Sequence, residues 1–458
     1  MTRGATVAAS PIGADSDRHL LVPQLEGAGA TSVWIGVVDA PVEGLRLVIG
    51  PTERPIPAAW ETFEAAGRRL RAQRVPLTDL PPRTTIPIRL MDGATAVADA
   101  TITTLPTALP SPAERPFTIL FGSCFCAAED PAGDAGSTLG RLPPDARPDL
   151  TVLCGDQVYL DSPVLHYLAR THTPDELAGE LLANYLSTWT QAYPLGGFRR
   201  VHQLGSMAFS PDDHDLWNNA PSIAPHVRDT WSTAGRAAWL KAARQLDRLF
   251  QAATPGVTAQ VGALSIFVGD TRMARTEDRS RFMDPAQFEA LRSWVQGLAG
   301  PGVLVTGQTL FAADTGFKGH VSDFTLPDYR QYRDLVSVLA ATQHDLIVLT
   351  GDVHFGRVAT ATLASGRRIV ELVASPMALV SALVGGKWKP TPPVFPAIPV
   401  PGVPQVPIVN GLYKETGNHA MTVGFSGIGQ AVRLQATSWP IRPCQPAVGK
   451  PVHSTELH

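Results

Sequence analysis

The chain has no block of like charges. Its 38 basic and 41 acidic side chains leave a net charge of −3 across 458 residues. Without a basic stripe it has no electrostatic footprint for nucleic acid and no polybasic anchor for a membrane surface. Cysteine is scarce, with four in all, too few for a disulfide framework in a chain this long. Cys124 and Cys126 are one residue apart, Cys154 ends an apolar run and Cys444 lies near the C-terminus, and the expectation is reduced, buried thiols. No apolar run is long enough to span a bilayer, since the most apolar stretch, residues 372–384, is broken by serines and a proline. The first 21 residues lack the apolar stretch of about 7–15 residues that an export signal needs. The expectation is a soluble, cytoplasmic chain, or a secreted one whose export segment has been removed.

What is plentiful is turn chemistry and core. There are 40 glycines and 41 prolines, and 44% of residues are hydrophobic, enough for a large core cut by many loops. At about 150 residues per domain the length predicts two or three domains.

Residues 18–108 read as short β segments bounded by Pro, Gly or Asp: 32–38 (SVWIGVV), Leu45–Ile49, 85–90 and 97–105. They predict a small N-terminal β-sandwich, with 59–74 as a helical insertion and 109–115 (LPSPAER) as the linker. After Pro116 the pattern changes. Continuous apolar runs end in small or acidic residues: FTILFGSC (117–124), LTVLCGD (150–156), SMAFSPDD (206–213), LSIFVGD (264–270), VLVTGQ (303–308) and LIVLTGD (346–352). Helical stretches at 174–192, 226–252, 285–298 and 329–343 separate most of them. Runs of this kind suit strands covered on both faces, so the fold class is an α/β sandwich, with ligands expected where the strands end. The Pro-dense segment 385–407 predicts an extended surface loop, with a wall over the active site as its functional reading.

Chemistry gathers at those strand ends. Gly-Asp closes three of them, at Asp156, Asp270 and Asp352. Asp156 has Tyr159 three residues on, and Asp352 has His354 on the same side of an extended segment. Between them lies a dense group of Asp, His and Asn from Asp212 to Asn219, and Cys124 offers a thiolate. Sulfur, nitrogen and oxygen donors of differing hardness suit two or more metal ions better than a proton relay. Taken singly, each Gly-Asp could be a helix cap and Cys124 a buried thiol.

Together the motifs GSC (122–124), GDQVY (155–159), DDHDLWNN (212–219), DTRMAR (270–275) and GDVHFG (351–356) resemble the alkaline phosphatase D (PhoD-like) branch of the metallophosphoesterases. The resemblance implies a metallophosphoesterase-type α/β sandwich at 113–458 preceded by a small β-sandwich domain at 1–112. It implies Fe³⁺ held by Cys124, Asp156, Tyr159 and His354, and Ca²⁺ held by Asp156, Asn218 and Asp352, with zinc or manganese also compatible with the donors. It implies a phosphatase or phosphodiesterase in which a metal-held hydroxide attacks the phosphorus of a mono-, di- or triester. Arg272 then clamps developing negative charge, and Asp213 and His214 orient the ligands. The partner is a small-molecule phosphate ester, with no nucleic acid, membrane span or protein partner expected. Two departures mark this chain: it shows no twin-arginine signal, and Met273 and Ala274 stand where members often carry an aromatic. Gly417-Asn418-His419 spells the GNH of the wider superfamily but follows the last metal motif. Two other classes of function remain: an iron protein with a redox role, and a binding module whose α/β part is inactive.

Overall fold

The computed structural model describes residues 18–458, apart from 28, 192–196, 252–255, 317–322, 380–386 and 443–446. Two large sheets face each other, one of ten strands and one of eight. At the centre of the first, Phe117–Gly122, Leu150–Cys154 and Ser206–Ser210 run parallel. At the centre of the second, Leu264–Val268, Gly302–Val305, Leu346–Thr350 and Arg368–Val373 do the same.

The two-residue period of a strand decides which side chains meet. Phe117, Ile119, Phe121 and Val152 from the first sheet meet Ile266, Val303, Val305 and Ile347 from the second in a core between the sheets. The alternate positions point outwards. Leu120, Leu153 and Met207 pack under the helices Pro174–Trp189 and Thr233–Phe250, while Phe267, Leu304 and Val348 pack under Pro285–Gln296 and Tyr332–Ala340. A helix, two sheets and a helix therefore stack as layers, and covered strands read as continuous apolar runs for that reason. The first of these helices starts where its sequence says it should, with Thr173 and Glu176 capping each other's backbone and Pro174 in the first turn.

Residues 18–108 are not closed off from these layers. His19–Glu26 lies parallel to Ser206–Ser210, with Gln24 opposite Met207, and Ala30–Val38, Arg68–Leu77 and Glu61–Ala65 extend the ten-stranded sheet from it. A separate four-stranded sheet (Leu45–Ile49, Thr52–Arg54, Thr85–Asp92 and Thr95–Thr103) covers this extension over Val33, Ile35, Leu47, Ile88 and Ile102.

The helical insertion expected at 59–74 is a β-hairpin. Ala66 and Gly67 both take left-handed backbone angles, φ 48° and 75°, and turn Glu61–Ala65 back onto Arg68–Leu77. Phe63, Ala65, Leu70 and Ala72 face inward at every second position, so burial against the first core overrides the helix propensity of EAAGRRLRA.

The Pro-dense segment departs from a surface loop. Val394–Phe395 pairs with Val406–Glu415, and Phe395 and Val400 are buried in the core of the second helix layer. Its first described residues reach towards the strand ends. Trp388 lies 6.3 Å from the ring of Phe355, and the Lys389 carbonyl accepts from Arg357. Residues 385 and 386 of that segment lie outside the described residues, as does Cys444. The other three cysteines are free and buried.

Candidate metal centre

The strand ends of the two sheets meet at one edge of the sandwich. Glycine permits the approach at two positions. Gly155 has φ 93°, and a Cβ there would stand 2.5 Å from that of Asp212, while a Cβ on Gly351 would stand 2.1 Å from the Ser123 hydroxyl. Residues around them carry the strain. Cys124 (φ 55°), Asp156 (φ 55°), Asn219 (φ 65°), Asp352 (φ 70°) and His354 (φ 58°) all hold left-handed backbone, which disfavours any residue with a Cβ. Strain of about 1–3 kcal/mol per residue persists where surrounding structure over-determines it, and functional sites are where it concentrates.

Three overlapping groups of candidate ligands result: Cys124, Asp156 and His354; Asp156, Asp213 and His214; and Asp212, Asp213 and Asp352. Within each, one ligand atom per residue lies within 4.8 Å of the others. The Cys124 thiol is 3.4 Å from Asp156 Oδ2. Tyr159 stacks on the His214 ring at 4.2 Å, and its buried hydroxyl has no hydrogen-bond partner among the described residues. Asn218 donates its backbone N–H to Asp161 at 2.9 Å, and its half-buried side chain shows no hydrogen bond among the described residues.

The electrostatics of the cluster ask for a cation. Burial, then the charges of Asp156 and Asp352, push the Cys124 thiol well up. Burial and neighbouring carboxylates push Asp156 and Asp352 up in the same way, and Asp212 rises to about 7 despite Arg272 beside it. Burial also raises the Tyr159 phenol. Oδ2 of Asp212 and Oδ1 of Asp213 are buried without a hydrogen-bond partner among the described residues. Three buried carboxyl groups and the half-buried Asp352 facing one another, with orphaned oxygens, are costly unless cations compensate them. The donor set fits the expected metals: thiol, phenol and imidazole on one side, carboxylates on the other.

Around the candidates is a scaffold that the motifs do not spell out. Asp161 holds His214 Nδ1 at 2.7 Å and His226 Nε2 at 3.2 Å. Although burial opposes both shifts, this pairing raises the His214 imidazole well above its usual range and lowers the Asp161 carboxyl. His214 in turn donates its backbone N–H to Asp156 Oδ1 at 3.0 Å. His354 moves the other way, lowered by burial and by the charge of His214, as a neutral ligand requires.

Asp215 ties three backbone N–H groups together, those of Asp156 (2.9 Å), Val158 (3.2 Å) and Asp212 (2.9 Å). Asp215→Asn would turn an N–H donor towards these donors. We expect it to weaken metal binding about 10- to 100-fold, the usual cost of an outer partner. Titration of the demetallated variant with Ca²⁺ and Fe³⁺ checks this, and unchanged affinity for both would contradict it.

Arg272 is enclosed, with an exposure of 0%. It donates to Asp212 Oδ1 (2.5 Å), to the Ala220 carbonyl (2.9 Å) and to both oxygens of Asp323 (3.1 and 2.6 Å). Gln308 donates to Asp323 and, at 3.3 Å, to Asp352. The third Gly-Asp, at Asp270, stays out of the cluster, its carboxylate accepting from the backbone of Arg272 and Met273. His419 is also apart, fully buried with Nδ1 2.9 Å from the Gly417 carbonyl.

These layers and the strand-end cluster define a PhoD-like fold. The solved structure of PhoD superposes on the chain with a TM-score of 0.64 and 15% identity, covering 98% of this chain and 91% of the other. A second similar structure, of GAP50, the anchor in the inner membrane complex of Plasmodium, reaches a TM-score of 0.36 at 7% identity, covering 75% and 90%. No family model and no curated protein matches the sequence. No helix among the described residues is long and apolar enough to cross a membrane.

Proposed function

We propose that this chain is a metal-dependent hydrolase of phosphate esters. The observation that carries the reading is the convergence, on a PhoD-like fold, of Cys124, Asp156 and His354 with the carboxylates of Asp212, Asp213 and Asp352. In this reading Cys124, Asp156, Tyr159 and His354 hold Fe³⁺, and Asp156, Asn218 and Asp352 hold Ca²⁺, with Asp212 and Asp213 adding to the second site. Bound cations of this kind polarise a phosphoryl oxygen and activate water.

The chain's own residues set the stage for that chemistry. Asp161 fixes the orientation and charge of His214. His214 steadies Asp156 through its backbone and has a second ring nitrogen from which a proton can pass to the departing alcohol. Arg272 is a positioning residue, turning Asp212 towards the cluster and joining it to Asp323. Lys389 stands near enough to His354 for its charge to help lower that imidazole. Every assigned residue belongs to 113–458, so we read residues 18–112 as an accessory β extension of the catalytic part.

The test is elemental analysis of the purified protein beside hydrolysis of p-nitrophenyl phosphate, its bis ester and a triester. We expect iron and calcium near stoichiometry and turnover of one ester class above the others. Metal without turnover of any ester would overturn the reading.

A further inference from the structure

Resting on the phosphoesterase reading, we propose that the ester this site takes carries a bulky apolar group, an acyl chain or an aromatic ring. That group lies across an exposed apolar rim formed by Val164, Leu165, Leu168, Ile223 and Trp231. These are five of the eight large apolar side chains exposed among the described residues. Folded surfaces rarely collect such side chains in one place without a use for them.

The rim has two walls. The short helix Val164–Ala169 buries only Tyr167, against Trp239, so its outward face is apolar where a surface helix would be polar. Leu165 stands 79% exposed on it. The second wall is the turn Arg228–Trp231 with the chain before it. Trp231, 50% exposed, donates to the Ala224 carbonyl at 3.2 Å, beside Ile223. Arg228 joins the walls: it donates to the Ala169 carbonyl at 3.1 Å, and its guanidinium lies 5.6 Å from the centre of the Trp231 ring.

Both walls grow out of residues that build the metal centre. Asp161, three positions before Val164, holds His214, His226 and the Asn218 backbone. His226 lies two positions before Arg228, and the ring edges of His214 and His226 are partly open to solvent. The occupant is therefore part of the substrate. A group bonded through oxygen to phosphorus at the cluster would pass the open edges of His214 and His226 to reach the rim, and a small polar ester has nothing to gain from it.

The experiment is a series of p-nitrophenyl phosphodiesters whose second ester group is methyl, butyl, octyl or phenyl. In the unaltered protein kcat/KM should rise about two-fold per methylene, roughly half what complete burial of each would give. Leu165→Asp and Trp231→Ser should each flatten the series while leaving kcat/KM for the methyl ester and the melting temperature in place, and Trp231→Phe should restore the slope. A flat series with turnover of the methyl ester overturns this proposal and leaves the phosphoesterase reading standing. Failure to hydrolyse any member overturns the reading beneath it. Leu165-dependent binding to phosphatidylcholine vesicles together with a flat series would make the rim a membrane contact, and the proposal would fall.

Discussion

Asp156→Asn is expected to lower turnover of the preferred ester by more than about 100-fold, a range that losing an outer partner of a metal ligand can already reach. It should also reduce bound metal at both sites. The reason lies in where Asp156 stands. Its Oδ2 faces the Cys124 thiol, its Oδ1 is held by the His214 backbone, and it belongs to two of the three ligand groups. An amide there keeps the shape but offers one neutral oxygen where two charged ones stood. His354→Ala should behave differently, emptying the Cys124 side while calcium remains on the carboxylates. Metal analysis separates the two variants. Full turnover in either one, with metal retained, would remove these residues from the mechanism.

Arg272→Met is expected to destabilise the fold by about 3–5 kcal/mol, the cost of removing one partner from a buried ion pair. Asp212, fully buried, would lose its charge partner, and Asp323 would keep Gln308 and a 3.4 Å contact to Arg275. Arg272→Lys keeps the charge but not the fork, and should recover only part of the loss. Urea denaturation of the three proteins, each freed of metal, measures the effect without reference to activity. A loss below about 1 kcal/mol for the methionine variant would show that the guanidinium is not what holds Asp212 and Asp323. A residue that only gripped substrate would instead raise KM in both variants and leave stability alone.

Much of the sandwich is legible in the sequence because buried parallel strands write long apolar runs and end at glycine and aspartate. The runs at 117–124, 150–156 and 346–352 correspond to Phe117–Gly122, Leu150–Cys154 and Leu346–Thr350. The hairpin at 61–77 was not legible as such, because its residues favour a helix when read alone and only the sheet beneath them makes the alternation count. The continuity of residues 19–38 with the large sheet rests on one parallel pairing across some 180 residues of chain, which no local pattern announces. At the site, Cys124, Asp156 and His354 can be picked out from motifs, and the structure brings these three together. Asp161, Asp323 and Gln308 cannot, because each acts on a residue distant in sequence rather than through a motif. The run DDHD did carry one unused signal. Four polar residues shortly after a buried strand cannot all face solvent: Asp212, Asp213 and Asp215 prove to be buried, and Asp215 ties the loop through the Asp212 backbone.

The candidate ligands come from both halves of the sandwich, residues 124–218 beside the first sheet and 352–354 beside the second. A growing chain that has emerged only as far as the first group can present a thiol and several carboxylates but not the closed centre. The centre takes its shape when the second sheet docks, after residue 354 is available. Affinity for divalent ions follows much the same order in most sites, so geometry and local supply decide which metal stays. Any ions this centre binds would accordingly be settled by the compartment in which the chain completes its folding, not by the one in which its synthesis begins.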